Sequence, residues 1–162
     1  MPDCTLTRAQ FHMLQTESRD LLAAQKLKVL VCAGTGCVAN GSMKVYDYLK
    51  SACEARGLNV CVALREEGGE GSVHLKKSGC HGFCEIGPLV SIEPLDILYT
   101  HVHVEDCDEI IDKTILGGEV IERLLYHKDG EVYQKRDDIP FYKLQHRIVL
   151  KNSGKSDAEE IL

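Results

Sequence analysis

Two glycine-rich loops, each holding a pair of cysteines, constrain this chain more than any other feature. Cys32 and Cys37 are separated by four residues in CAGTGC, and Cys80 and Cys84 by three in CHGFC. Each loop follows a short stretch that reads as a strand, LKVLVC over 27–32 and SVHLKK over 72–77. Thiolates delivered by two loops can converge on one centre. Gly34, Gly36, Gly79, Gly82 and Gly87 lie in or beside the loops. Glycine permits the turned backbone that aims N–H groups at sulfur. Either pair alone is a weak signal, and the two together are a strong one.

The chain shows no basic start followed by an apolar signal core, yet it carries eight cysteines in 162 residues. Metal binding or redox work is therefore expected before a secreted disulfide framework. An iron–sulfur cluster would take its thiolates from such loops. A tetrahedral zinc in a structural interaction domain could use the same four, although zinc sites favour C-x2-C knuckles. A dithiol exchanger would normally show C-x-x-C, which is absent here.

The other cysteines read as small core hydrophobes. Cys53 shares a helix face with Tyr46 and Leu49, Cys61 lies between valines, and Cys107 shares a stripe with Ile110, Ile111 and Ile115. Cys4, near the terminus, is read as incidental. His81 falls between ligand candidates, where a histidine ligand is conceivable. With four thiols at hand it reads as a neighbour of the site or a surface residue. His101 and His103 are too few for a metal site. Lys76 and Lys77 read as a solvated strand end beside the negative thiolates.

Charge and composition exclude several classes. A formal net charge of −6 argues against a nucleic-acid surface and a polybasic membrane patch. No apolar run approaches the roughly 20 residues of a membrane span, so no membrane insertion and a cytoplasmic location are expected. With 44% hydrophobic and 27% charged residues, the composition suits one compact domain with an appendage. No general base, nucleophile or phosphate-binding loop is visible, so no complete active site is expected in this chain.

The predicted order is a helix over 6–25, a strand over 27–32, a helix over 42–55 capped by Ser42 and stopped by Gly57, and a strand over 59–66. A turn at Gly68, Gly69 and Gly71 leads to the strand over 72–77. Strands over 89–93 and 97–102 form a hairpin around Pro94-Leu95-Asp96, and a helix over 104–116 ends at Gly117-Gly118. This order predicts a small α/β sandwich. The boundaries are an N-terminal helix at 1–26, a central domain at 27–118 and an extension at 119–162. In the extension FYKLQHRIVL reads as a strand or extended arm. Its low apolar content predicts that it needs a surface to pack against.

Three segments, VLVCAGTGCVANGSMKVYDYL, KSGCHGFCEIGPLVSIEP and IPFYKLQHRIVLKN, together resemble thioredoxin-like 2Fe-2S ferredoxin domains. More narrowly they resemble the domain fused to FMN- and NADH-binding flavoprotein subunits of NADH:quinone oxidoreductase and of NAD-linked electron-bifurcating iron hydrogenase. The resemblance implies a thioredoxin-like fold, a small mixed sheet flanked by helices. It implies a 2Fe-2S cluster on Cys32, Cys37, Cys80 and Cys84, and a role as an electron relay with no catalytic residues of its own. IPFYKLQ is what selects the flavoprotein-linked branch. There the segment leads into a domain binding FMN and NADH, followed by one with a 4Fe-4S cluster, and the residues for those groups are not in this sequence. The implied partners are a flavoprotein or hydrogenase-type iron–sulfur subunit of an NADH-linked complex, with a homodimer also open.

Overall fold

A computed structural model describes residues 7–24, 27–62, 72–146 and 148. Cys4, the turn at Gly68, Gly69 and Gly71, the end of the strand expected over 59–66, and everything from 149 onward lie outside the described residues. Helix α1 spans Arg8–Ala24, followed by strand β1 at Leu27–Cys32. Helices α2 (Thr35–Ala39) and α3 (Ser42–Ala55) precede strands β2 (Val60–Cys61) and β3 (Val73–Ser78). Strands β4 (Val90–Glu93) and β5 (Ile97–Tyr99) form the expected hairpin.

The sheet order is β2-β3-β1-β4-β5. β1 pairs parallel with β3 and antiparallel with β4, so the sheet is mixed and β1 is central. That position suits LKVLVC, whose last four residues are buried. Val29, Val31, Val45, Leu49, Ile92 and Ile110 belong to one core, which joins the sheet to α3 and the later helix. Cys53, Cys61 and Cys107 are buried, as their apolar neighbours predict.

Three local details depart from the periodicity. α3 begins at Ser42, but its cap is Gly41 at φ 95°, and Ser42 is a buried first-turn residue. A left-handed residue is what turns the chain from α2 into α3, and glycine takes that conformation without strain. The helix expected over 104–116 is composite: a 3-10 turn at Val104–Asp106, helix α4 at Cys107–Glu109, and a π-helix at Ile110–Leu116. Thr114, buried in the π-turn, is hydrogen-bonded to the Tyr99 hydroxyl at 2.7 Å, and that hydroxyl also accepts the Ile121 N–H at 3.0 Å. On α1 the apolar stripe is not sealed, because Phe11 is 55% exposed.

The extension also has structure. Strands β6 (Tyr126–Lys128) and β7 (Glu131–Tyr133) form a hairpin around Asp129-Gly130, and a single helical turn, α5, spans Pro140–Lys143. Over its first residues, Phe141 to Lys143, FYKLQHRIVL forms that turn in place of the expected strand or extended arm, and 147, 149 and 150 of that stretch lie outside the described residues. Pro140 opens the turn with its ring-fixed φ and no N–H to satisfy. The packing surface it needs is within the chain, on Phe83. No helix among the described residues is long and apolar enough to cross a membrane.

Candidate metal centre

Parallel neighbours end on the same side of a sheet. In the β1–β3 ladder Cys32 is opposite Ser78, so the loops leaving these strands emerge side by side. This pairing brings together cysteines 48 positions apart in the chain, Cys32 and Cys80. The Ala33 N–H donates to the Ser78 carbonyl at 2.9 Å, and the Cys32 N–H to the Leu89 carbonyl at 3.0 Å, so both loops are tied down at their roots. Cys37 rides on α2, within what reads in sequence as an open loop. Cys84 opens a 3-10 turn, Cys84–Ile86.

The four thiols meet in two couples. Cys32 lies beside Cys37 and raises its thiol, and Cys80 lies beside Cys84 and raises that one. Each couple feels the other's charge, since Cys84 acts on Cys37 and Cys32 acts on Cys84. Among the described residues, no three His, Cys, Asp or Glu side chains are gathered around one ion-sized point. Exposure divides the couples. Cys32 and Cys37 are 1% exposed, whereas Cys80 is half-buried and Cys84 exposed.

Backbone donors already point at sulfur. The Gly82 N–H donates to Cys80 Sγ at 3.3 Å. Leu89 and Gly36 donate their N–H groups to the sulfurs of Cys37 and Cys84. Such donors favour thiolate and, around a bound cluster, tune its potential. Glycine at three positions makes space for the cysteines. A Cβ on Gly87 would lie 2.6 Å from Cys37 Sγ, one on Gly36 3.1 Å from Cys84 Sγ, and one on Gly34 3.0 Å from Cys80 Sγ. Two thiol couples, N–H donors on three of the sulfurs and side-chain-free backbone against three form a cradle that fits a thiolate-held group.

His81 is not a surface residue. It is 4% exposed, and its Nε2 is 2.7 Å from Ser78 Oγ, which in turn donates to the Val31 carbonyl at 3.3 Å. The contact braces the ligand loop against the β1 and β3 ends. Lys77 stands with Nζ 4.7 Å from the Tyr46 ring centroid, a cation–π contact on α3 rather than a fully solvated end. His101 and His103 are exposed.

Sequence reasoning missed the aromatic surround. Phe83, between Cys80 and Cys84, belongs with Cys32, Cys37, Leu89, Ile139 and Tyr142 to a second buried core. A signal was present: an apolar ring inside the ligand loop, and FY in a tail otherwise poor in apolar residues.

Burial pushes the Cys37 thiol up to about 12, with Cys32 beside it adding to the shift. Burial likewise raises Cys53 to about 11 and Cys107 to about 12. An unfolded thiol ionises near 9, so above that pH the unfolded chain sheds protons that the folded chain keeps. The stability these groups contribute is full below pH 9 and is lost as pH rises through the folded values. The urea midpoint of the reduced, metal-free protein should fall steadily between about pH 8.5 and about pH 10.5. A flat profile would contradict this account of the buried thiols.

The chain matches the thioredoxin-like 2Fe-2S ferredoxin family over residues 18–115. It is 31% identical over 99 residues to a 2Fe-2S ferredoxin of Clostridium pasteurianum, covering 61% of this chain and 94% of that protein. It is 43% identical over 51 residues to a 2Fe-2S ferredoxin of Aquifex aeolicus, covering 32% of this chain and 46% of that one. The 1.5 Å crystal structure of the Aquifex aeolicus thioredoxin-like ferredoxin superposes with a TM-score of 0.52 at 27% identity, over 65% of this chain and 100% of that one. This chain therefore belongs to the thioredoxin-like 2Fe-2S ferredoxins, electron-transfer domains that carry a 2Fe-2S cluster. The fold expected from the sequence agrees with the relatives' fold.

Proposed function

We propose that Cys32, Cys37, Cys80 and Cys84 are the cluster's four ligands, and that the chain relays electrons within a cytoplasmic NADH-linked oxidoreductase. Its partner would be a flavoprotein or another iron–sulfur subunit. The observation that carries the assignment is the meeting of two thiol couples where two parallel strands end, with glycine backbone against three of the sulfurs. In a 2Fe-2S cluster the four thiolates would all be used as ligands, two from each loop. A single tetrahedral ion would favour four ligands around one point.

When bound, the cluster takes up and returns one electron at a time. The chain's residues set the conditions for that exchange. Cys84 is exposed and Cys80 half-buried, which leaves their side open to a partner. Cys32 and Cys37 lie among Leu89, Leu98 and Ile139, which keep water from the other side. The NADH-linked role rests on the resemblance of IPFYKLQ to flavoprotein-fused ferredoxin domains, and is supported by the seating of that segment on the ligand loop.

Anaerobic purification tests the ligand chemistry. A reddish-brown protein with about two iron and about two sulfide per chain is expected, with a paramagnetic signal on one-electron reduction. A colourless protein with about one zinc would replace this reading by a structural zinc domain. The NADH-linked role is tested by mixing the holoprotein with a flavin-bearing NADH-oxidising subunit and adding NADH. Bleaching of the cluster absorbance supports the role, and no electron transfer at any mixing ratio would count against it.

A further inference from the structure

We infer that the segment over 121–143 is a built part of the metal centre, an aromatic cap that closes the ligand loop and holds its buried half away from water. The inference rests on the ligand assignment above. The family match ends at residue 115, so the cap lies beyond the part shared with the family.

The cap is fastened along the edge of the sheet. β5 is an edge strand, so the backbone groups on its outer side are not taken up by another strand of the sheet. The Leu98 N–H donates to the Gln134 carbonyl at 3.0 Å, and the Thr100 N–H to the Leu124 carbonyl at 2.7 Å. Gln134 Nε2 returns a bond to the Leu95 carbonyl at 3.3 Å. Held in this way, the chain carries Ile139 and α5 to the ligand loop.

There the aromatic rings converge on Phe83. Phe141 stacks on it with centroids 4.0 Å apart and planes at 23°. Tyr126 lies at 5.5 Å and Tyr142 at 6.0 Å, the latter edge-on. Phe83 and Tyr142 are 8% exposed and Ile139 is fully buried, all in one core with Cys32 and Cys37. Three residues of sequence separate Cys80 from Cys84, and the ring of the last of them, Phe83, is gripped by the extension. The loop cannot swing open to release the metal without breaking that stack.

Phe141 is the residue that separates this role from simple core packing. One of its faces lies on Phe83, and it is 36% exposed. Truncating it removes the stack while leaving little buried void. Stacked rings contribute enough that their loss should shift a local opening equilibrium about tenfold.

The test compares the wild-type holoprotein with Phe141→Ala, Phe141→Tyr and, as a surface control, Leu144→Ala, whose side chain is 90% exposed. Iron and sulfide content of the wild type is measured first, since a wild type without them overturns the ligand reading itself. The readout is the rate at which a ferrous chelator bleaches the reduced protein anaerobically. Phe141→Ala should bleach about tenfold faster, with Phe141→Tyr and Leu144→Ala near wild type. A Phe141→Ala protein with a normal spectrum and the wild-type rate would overturn the cap alone. If that variant does not fold, amide exchange on the wild type decides. Removing the cluster should speed exchange at Tyr142 and Lys143 together with Ile86 and Gly87. Unchanged exchange at Tyr142 and Lys143 would overturn the proposal.

Discussion

Cys37→Ala should emerge from anaerobic purification colourless, with bound iron below about a tenth of the wild-type level. The reason lies in where the sulfur is. Cys37 is 1% exposed, and its surroundings are Cys32, Leu89, Ile139 and the Gly87 backbone. At that exposure, solvent has little access to take the sulfur's place. Cys84 is exposed, with the Gly36 N–H directed at its sulfur. Cys84→Ser places a hydroxyl where solvent and a backbone donor can both support it. That variant should retain a coloured but spectrally altered centre, while Cys84→Ala should lose the visible absorbance. Equal retention of iron by Cys37→Ala and wild type would refute the assignment.

Gly87→Ala should be nearly as damaging, without touching a ligand. The new Cβ would lie 2.6 Å from Cys37 Sγ, a separation that nothing short of displacing the sulfur or the loop relieves. The backbone at Gly87 has φ −80° and ψ 162°, a conformation open to any residue, so the requirement is for volume alone. Overpacking of this kind costs about 1–3 kcal/mol, and here the strain falls on a candidate ligand. The expected result is a folded protein, destabilised by about 2 kcal/mol in urea, that binds little iron. Gly57→Ala is the matched control. Its Cβ meets nothing within 4 Å, but φ is 74°, so the cost is backbone strain where α3 ends. That variant should lose about 1 kcal/mol and keep the cluster. Normal iron content in Gly87→Ala would show that the loop can yield at no cost to the site.

Regular elements were legible wherever periodicity and breakers agreed. LKVLVC reads best as a buried strand, and Tyr46, Leu49 and Cys53 recur at helical spacing along α3. The 104–116 segment was legible as a helix but not as a composite one. A few apolar residues over so short a stretch do not separate an α from a π period, and the difference involves Thr114 reaching the Tyr99 hydroxyl. The extension was misread for a related reason. IPFYK has little propensity of its own, and its turn is held by Phe83, a residue more than fifty positions earlier. His81 reads the same in sequence whether it faces water or Ser78, and only the packing of β3 against β1 decides that it is buried.

By itself, the sequence determined which atoms could hold a metal and that two turned loops would present them. That information is local: thiols at short spacing, with glycine beside them. The tertiary structure decided that the loops meet, because parallel pairing of β1 with β3 sends both from the same end of the sheet. It also decided which thiols are dry and which are open, and that the C-terminal segment closes over the loop. These outcomes depend on contacts between distant parts of the chain. Burial and close approach are properties of the assembled surface, and no spacing along a sequence encodes them.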